Sequence, residues 1–326
     1  MLKAAIPGTI PSHLMRAVLL SAVCAAIASV HAQSPVAGQA VNRAELMRHD
    51  AALGQGPSQG TTGADGNYAP ESPNDPDLGE QAILKRQDTY QAFTFSAGIP
   101  IFYTSNVALS NTNEQGDAVF APAVGFAYTP RIKPTLFLNF SVGLQEFYYN
   151  EFDALDFGSF DARAGLTYLL PKLHDLSLHA EYAYNRLTTS NSFDEFFSSH
   201  GLNFNADLPF RIDRAQQISV GLDAFVNLHS EPSGPGRHDF DFYVAYAVNL
   251  ARAVTLNAIG RVALRDYTDS NRTDVSEVLS LGVTYHFGQW WSLAATGTFA
   301  HSDSNQDVFD YDVANVGGAL SFVFHF

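Results

Sequence analysis

Large apolar residues occupy every second position along most of the sequence that follows residue 90. In the final segment the large apolar positions are Leu320, Phe322, Phe324 and Phe326, and the alternate positions include Ala319, Ser321 and His325. A period of two is the pattern of a β-strand that has one apolar face and one different face. The sequence therefore predicts an all-β chain from about residue 90 to its end.

The alternation divides into about twelve segments of roughly ten or more residues, which is the length that a tilted strand needs to cross a bilayer. Strands of soluble domains average only about five or six residues. Shorter connections are predicted at 131–134, 171–175, 212–215, 251–253 and 288–290, and longer polar ones near 99–117, 150–157, 188–197, 229–238, 267–275 and 302–311. This alternation of connections predicts an up-and-down antiparallel transmembrane β-barrel.

We expect the sheet to close into a barrel, because an open sheet edge in lipid would leave backbone N–H and C=O groups without hydrogen-bond partners. Paired aromatic residues near predicted strand ends fit the interfacial girdles of such barrels. These pairs are Tyr148 and Tyr149, Phe196 and Phe197, and Trp290 and Trp291. A soluble β-sandwich or β-propeller is the alternative, but its strands would be about half as long.

The N-terminus has the pattern of a secretory signal peptide. An apolar run at 17–29 follows Arg16, and a small-x-small sequence ends at Ala32. We expect residues 1–32 to be a signal peptide that is cut after Ala32, and a membrane anchor is the alternative. Met15 would make a compact start for such a peptide. Cys24 is the only cysteine, so the cleaved chain would hold neither a disulfide nor a thiolate metal site.

Residues 33–87 differ in composition from everything that follows them. The stretch 54–66 is rich in Gly, Ser and Thr, and Pro70, Pro73 and Pro76 come soon after it. Segments with so few apolar residues do not form a packed core. The sequence predicts a disordered periplasmic linker; a short helix around 42–49 and a folded plug in the barrel lumen are alternatives. The barrel itself is predicted at 88–326.

The polar positions of the predicted strands share one face, opposite to the apolar face. The candidate pore-lining residues are Asp161, Arg163, His179, Glu181, Asp207, Asp223, Asp241, Arg261, Arg265 and His286. Arg163 with Glu181, and Arg261 with Asp241, lie on neighbouring strands and could pair. The lumen is either filled by such pairs or left as a narrow wet channel. The excess of acidic over basic residues predicts a weak preference for cations if the channel is open.

The sequence lacks features that several classes of protein function usually require. The net charge of −15 is opposite to the basic surface that binds nucleic acid. The His-x-Ser spacing that would place a base beside a nucleophile on one strand face is absent; the nearest sequence is His301-Ser302-Asp303-Ser304. Acid clusters such as Asp153 with Asp156, and Asp303 with Asp307, fall in predicted loops. We therefore predict no catalytic residues, no enzyme activity, no metal site and no cofactor.

Loose motifs occur between residue 90 and the end, at 265–272, 281–287, 302–305 and 318–326, with an early Ser-Asn motif at 104–107. Together they resemble a family of outer-membrane β-barrel porins, some of which belong to exopolysaccharide systems. The resemblance implies a barrel in the outer membrane of a Gram-negative bacterium that passes small hydrophilic solutes or exports a polysaccharide. A structural or adhesion barrel with a filled lumen is the alternative, followed by an outer-membrane hydrolase.

The same resemblance implies partners for the chain. Terminal aromatic strands of this class are read by the barrel-assembly machinery, and Leu320, Phe322, Phe324 and Phe326 would be that assembly signal here. Outer-membrane lipids and lipopolysaccharide would surround the barrel. The patterns do not specify an oligomeric state.

Overall fold

The computed structural model describes residues 40–44, 90–190, 192–213 and 215–326. Almost all of the described residues after 92 belong to β-strands or their connections. The strands are β1 (Phe93–Thr104), β2 (Asp117–Phe120), β3 (Ala123–Tyr128), β4 (Arg131–Lys133), β5 (Leu136–Tyr149), β6 (Phe157–Leu170), β7 (Leu176–Thr189), β8 (Glu195–Arg211), β9 (Gln216–Glu231), β10 (Arg237–Ala251), β11 (Val254–Tyr267), β12 (Thr273–His286), β13 (Trp291–Ser304) and β14 (Tyr311–His325).

These fourteen elements make twelve barrel strands. β2 and β3 are the two halves of one strand, since both pair with β1 on one side and β5 on the other. The ladder breaks at Pro122, which has no N–H group to donate. β4 is a three-residue pairing with the start of β5. The predicted count of about twelve strands is confirmed.

The sheet closes through its first and last strands. β1 pairs antiparallel with β14 from Thr94↔His325 to Thr104↔Asn315. Phe93 and Phe326 also exchange two backbone hydrogen bonds of 3.0 Å each. Each other strand pairs antiparallel with its sequence neighbours. The fold is therefore a closed up-and-down barrel, and the alternative of a soluble sandwich is wrong.

The two ends of the barrel differ in their connections. One end, called the turn end below, carries Tyr90, Phe326 and the connections 129–135, 171–175, 212–215, 252–253 and 287–290. The other, the loop end, carries 105–116, 150–156, 190–194, 232–236, 268–272 and 305–310. The connections at the loop end are shorter than predicted, because strand pairing continues after the side chains become polar. Only 105–116 is a long loop.

Apolar side chains cover the outside of the barrel. Along β12, for example, Leu279, Leu281 and Val283 are exposed, whereas the alternate residues Ser280 and Thr284 are buried. An exposed apolar belt of this extent is unfavourable in water and favourable in lipid. It follows that the polar positions face the lumen.

A cluster of aromatic rings surrounds the turn end near the closing strands. Phe93 stacks on Tyr128 at 4.5 Å and on Phe326 at 5.4 Å between ring centroids. Trp291 lies 4.9 Å from Phe322. These rings, with Trp290, fit the predicted girdle at this end.

The girdle prediction is wrong for Tyr149 and Phe197, which are buried inside the barrel. Adjacent residues on a strand point to opposite faces, so only Tyr148 of the first pair reaches the outside. Phe197 continues the inward, odd-numbered face of β8 and pairs with the buried Leu187, and the irregular register next to it lies at Glu195 and Phe196. Both rings therefore contribute to an internal apolar cluster.

The predicted signal peptide lies outside the described residues, and so does the predicted linker except for residues 40–44. Those five residues form a helical turn that is buried within the barrel. Ala40 and Ala44 find apolar partners there, and the turn overlaps the start of the short helix considered around 42–49. Within the part of the chain that the structure describes, none of the helical segments has the length and apolar character to span a membrane.

Candidate functional site: the barrel lumen

The inward face of β6 to β11 carries most of the charged residues of the lumen and is called the charged wall below. Nine of the ten predicted pore-lining residues lie on it, namely Asp161, Arg163, His179, Glu181, Asp207, Asp223, Asp241, Arg261 and Arg265. The tenth, His286, is exposed at the turn end of β12. Each of the nine residues alternates with outward apolar residues along its strand. The period of two therefore places all nine on the inward face.

Arg163, His179 and Glu181 form one polar cluster on β6 and β7. Arg163 Nη1 lies 3.0 Å from Glu181 Oε1, and His179 Nε2 lies 2.8 Å from Glu181 Oε2. The other ring nitrogen of His179 is 2.8 Å from Thr167 Oγ1. The pair predicted from strand adjacency is thus present. The Arg163 and His179 side chains remain 34% and 24% exposed, so this cluster is wetted from the lumen.

A second cluster centres on two aspartates that face each other across β9 and β10. Asp223 and Asp241 are direct register partners, and Arg261 Nη1 lies 2.8 Å from Asp241 Oδ2. This ion pair was also predicted from strand adjacency, and it is almost fully buried. Two adjacent carboxylates beside one guanidinium leave a local excess of negative charge.

Glycines on the charged wall make room for side chains that lie flat against it. A Cβ atom on Gly221 would overlap the ring of Tyr243, whose hydroxyl donates a 2.8 Å hydrogen bond to Asp207 Oδ1 two strands away. In the same way the ring of Phe225 lies over Gly201. These side chains run along the wall instead of toward the barrel axis.

The opposite wall, formed by the inward faces of β12 to β14, β1 and β3, is lined by small uncharged residues in its middle and is called the small-residue wall below. Its residues include Ser280, Thr284, Ala294, Thr298, Gly317, Ser96 and Gly125. Ser280 Oγ and Thr298 Oγ1 share a 2.9 Å hydrogen bond. A cavity of about 160 Å³ runs along this wall and reaches Gln145, Thr296 and Asn315.

Arg265 occupies a different setting from the one that the sequence predicts. Its side chain is fully buried and donates to Ser276 Oγ at 2.8 Å and to Tyr311 OH at 3.3 Å. These contacts connect β11, β12 and β14 near the loop end. In this position Arg265 braces three strands of the barrel.

The loop end of the lumen contains an apolar mouth cluster that sequence reasoning missed. It consists of Ala40, Ala44, Val107, Val119, Ala121, Phe147, Tyr149, Phe157, Leu187 and Phe197. Loop 105–116 folds inward to place Val107 there, and Asn106 holds the loop with hydrogen bonds to the carbonyl oxygens of Ser110 (2.7 Å) and Asp312 (2.9 Å). The Ser-Asn motif at 104–107 was the sequence signal for this inward fold.

The helical turn 40–44 is held in the mouth by polar contacts as well. Arg43 Nη1 donates to Tyr149 OH at 3.5 Å, and its guanidinium carbon lies 5.6 Å from the centre of that ring. Arg237 Nη1 donates to Asn42 Oδ1 and also to Tyr267 OH at 3.3 Å. The i, i+4 spacing of Ala40 and Ala44 was the sequence signal for a small-residue helical face.

Two carboxylates beside loop 150–156 act as acceptors for backbone N–H groups, and one of them, Asp156, is a predicted loop acid. Asp117 Oδ2 accepts from the N–H groups of Glu151 and Phe152, and Asp156 Oδ1 accepts from that of Tyr149 at 2.8 Å. Burial raises the pKa of Asp156 above its ordinary value, although the hydrogen bond from Tyr149 opposes this rise. These carboxylates fix loop 150–156 in place.

His301 is placed as the strand pattern predicts. Its ring contacts Asp312 at 2.7 Å and Asp303 at 3.3 Å. Ser302 instead bonds to Ser276, and Ser304 accepts from the N–H of Gln306. The two serines and His301 are therefore on opposite faces of β13, and this arrangement does not form a nucleophile–base pair.

The predicted assembly residues lie on the closing strand at the turn end. Phe322, Phe324 and Phe326 form a ladder of rings 6.5 Å and 5.6 Å apart, and Leu320 is exposed on the same outer face. Trp290 packs edge-on to Phe324 at 5.5 Å. Their role in assembly stays a prediction.

The sequence profile of the family described as "Putative beta-barrel porin 2" matches residues 194–322, which cover β8 to β13 and most of β14. No curated protein matches the chain closely enough to count as a relative. The resemblance predicted from the sequence motifs is thus confirmed over the second half of the barrel.

Among solved structures, the chain is similar to an outer membrane channel from Pseudomonas putida F1. The two share 10% identity with a TM-score of 0.54, over 72% of this chain and 97% of the channel. The translocator domain of the autotransporter NalP from Neisseria meningitidis matches at 13% identity and a TM-score of 0.41, over 74% of this chain and 90% of the translocator domain. Outer membrane phospholipase A from Escherichia coli matches at 11% identity and a TM-score of 0.43, over 70% of this chain and 92% of the phospholipase.

The similarity to the Pseudomonas putida channel, at this level of identity, concerns the fold alone. It agrees with the barrel fold described above. The fold is that of an outer-membrane β-barrel channel.

Proposed function

We propose that this chain, a barrel of the outer-membrane porin type, is a conduit for the passive passage of small hydrophilic solutes across the outer membrane of a Gram-negative bacterium. The observation that supports this most directly is the flat arrangement of side chains on the charged wall. Tyr243 lies over Gly221 and Phe225 over Gly201, so bulky rings are kept away from the barrel axis.

The ion pairs of the charged wall support the same conclusion. Arg163 pairs with Glu181 and Arg261 with Asp241, and in both cases the partners lie on neighbouring strands. Such pairs run within the wall and do not cross the lumen. The partial exposure of Arg163 and His179 is that of side chains next to water.

The charge distribution supports a weak preference for cations. In the middle of the charged wall, Asp161, Glu181, Asp207, Asp223 and Asp241 face the lumen together with only Arg163 and Arg261. Low-dielectric walls strengthen the field of such an excess and raise the local concentration of cations.

Planar-bilayer recording of the purified protein under a salt gradient tests this proposal. We expect discrete conductance and a reversal potential displaced toward the cation equilibrium value. A membrane that does not conduct after insertion of the protein would contradict the proposed conduit. Conductance with no displacement of the reversal potential would contradict the cation preference.

Export of a polysaccharide is the second candidate, and the small-residue wall favours it. Gln145, Thr296 and Asn315 offer uncharged hydrogen-bonding groups along a narrow cavity, and hydroxyl-rich chains are recognised by such groups. Transient current blocks when neutral oligosaccharides are added would support this candidate, and an unchanged current would contradict it.

A filled structural barrel is the remaining alternative, and the mouth cluster at the loop end favours it. In that case the lumen would not conduct, and exposed loops would carry the binding. The bilayer recording separates this alternative from the conduit.

A further inference from the structure

We propose that residues 40–44 are a removable plug that closes the loop end of the lumen. This inference depends on the proposed conduit function, because a plug has a role only where solutes would otherwise pass. The name plug turn is used below for these five residues.

The plug turn is as deeply buried as the core of a soluble domain. Ala40, Asn42, Arg43 and Ala44 are 2%, 5%, 3% and 1% exposed. An arginine is almost never buried to this degree unless it has partners, and Arg43 has the hydroxyl and ring of Tyr149. The mouth therefore provides a built site for this segment, with apolar and polar parts that match it.

The plug turn reaches across the mouth from one side to the other. Arg43 contacts Tyr149 on β5, whereas Asn42 accepts a hydrogen bond from Arg237 on β10. The sheet order places β6, β7, β8 and β9 between these two strands. In a ring of twelve strands, β5 and β10 are nearly opposite, so a segment that contacts both occupies the centre of the opening.

The receiving side of the mouth is held by contacts within the barrel itself. Arg237 Nε donates to Asp239 at 2.8 Å, and its Nη1 also donates to Tyr267. Phe147 stacks on Phe157 at 4.4 Å between centroids. These contacts belong to the barrel itself, so the site for the plug turn is already formed before the turn docks.

The plug turn is removable because of how it is attached. It is helical, and the contacts described above are made by its side chains. Docking of this kind does not extend the strand ladders of the barrel, so undocking leaves the sheet closed. Small alanines on its apolar face also limit the area that must be exposed to water when it leaves.

Thiol reactivity tests docking without any need for conductance. In a Cys24→Ser background, Ala44→Cys should react with a membrane-impermeant maleimide about tenfold more slowly than Ser192→Cys, which lies on an exposed loop, because a buried thiol reacts only after local opening. Equal rates in the two variants would overturn the proposal.

Single-channel conductance tests whether the plug turn closes the lumen. The double variant Asn42→Ala/Arg43→Ala and the single variant Ala44→Glu should each raise single-channel conductance or open probability above that of the wild type. Ser192→Ala is the matched control and should leave both unchanged. Because the variant residues lie outside the strands, the heat-modifiable gel shift of a folded barrel should be retained in each protein.

The outcomes separate the plug from the conduit. If the wild type and the undocked variants conduct equally, the plug is overturned and the conduit stands. If all of them are silent, the conduit is overturned and the plug with it. Increased conductance in both undocked variants, together with a protected Ala44→Cys thiol, supports the plug.

Discussion

The charged wall and the small-residue wall enclose the same lumen with different interactions. On the charged wall, the ring of Tyr243 lies flat over Gly221 and its hydroxyl bonds to Asp207, and Arg163 pairs with Glu181 on the neighbouring strand. On the small-residue wall, short side chains such as Ser280 and Thr298 bond directly across one strand pair. The comparison teaches that a barrel can keep its lumen free either by laying large side chains sideways or by using small ones.

The two walls should also differ in the effect of single substitutions. Charges that are desolvated in pairs depend strongly on their partners, whereas hydroxyl pairs contribute little individually. The charged wall should therefore be sensitive in both stability and selectivity, and the small-residue wall should be tolerant.

The largest effect is expected for Arg261→Ala, which leaves the buried carboxylate of Asp241 without its 2.8 Å partner. Breaking a buried ion pair in this way costs about 3–5 kcal/mol of stability. Denaturant unfolding of the lipid-reconstituted barrel measures it. Arg252→Ala, at an exposed turn, is the matched control and should change stability by less than about 0.5 kcal/mol. Equal effects of the two variants would contradict the assignment of Arg261 to a buried pair.

The next effect is expected for Gly221→Val, because a Cβ there would overlap the Tyr243 ring and displace it from the wall. Overpacking of this kind costs about 1–3 kcal/mol, and the displaced ring should narrow the lumen and lower the conductance. Gly260→Val is the control, since no atom lies within 4 Å of a Cβ at Gly260. If Gly221→Val conducts as the wild type does, Tyr243 does not shape the lumen.

A smaller effect is expected for charge substitutions that keep the shape of the wall. Asp207→Asn removes one negative charge but can still accept the hydrogen bond from Tyr243. Cation preference should fall, because the lumen field decreases with the net wall charge. The reversal potential under a salt gradient measures this, and the neutral change Thr296→Val on the opposite wall should leave the potential unchanged. A shift of equal size in both variants would argue against charge as the cause.

The smallest effect is expected for Ser280→Ala on the small-residue wall. It removes one 2.9 Å hydrogen bond to Thr298, which corresponds to about 1 kcal/mol. Unfolding of the reconstituted barrel is again the measurement. A loss as large as that of Arg261→Ala would show that the two walls do not differ in the way described.

The outcome at particular residues shows how far sequence patterns reach. Strand adjacency was sufficient to predict the Arg163–Glu181 and Arg261–Asp241 pairs, because neighbouring strands in an up-and-down barrel are also neighbours in sequence. The same reasoning placed Arg265 among the pore-lining residues, yet its side chain is buried between β11, β12 and β14. Contact with β14, three strands away along the sheet, depends on the curvature of the sheet, which the local pattern does not contain.

The strands, the alternation of their faces and the order in which they pair can be predicted from local sequence, because each of these depends on a period of two and on short connections. What occupies the loop end is set only by the folded barrel. Arg43 meets Tyr149, and Asn42 meets Arg237, across 106 and 195 residues of chain. Contacts between residues so far apart in the sequence produce no periodic sequence pattern, since they arise only when a closed barrel brings opposite strands around one small opening.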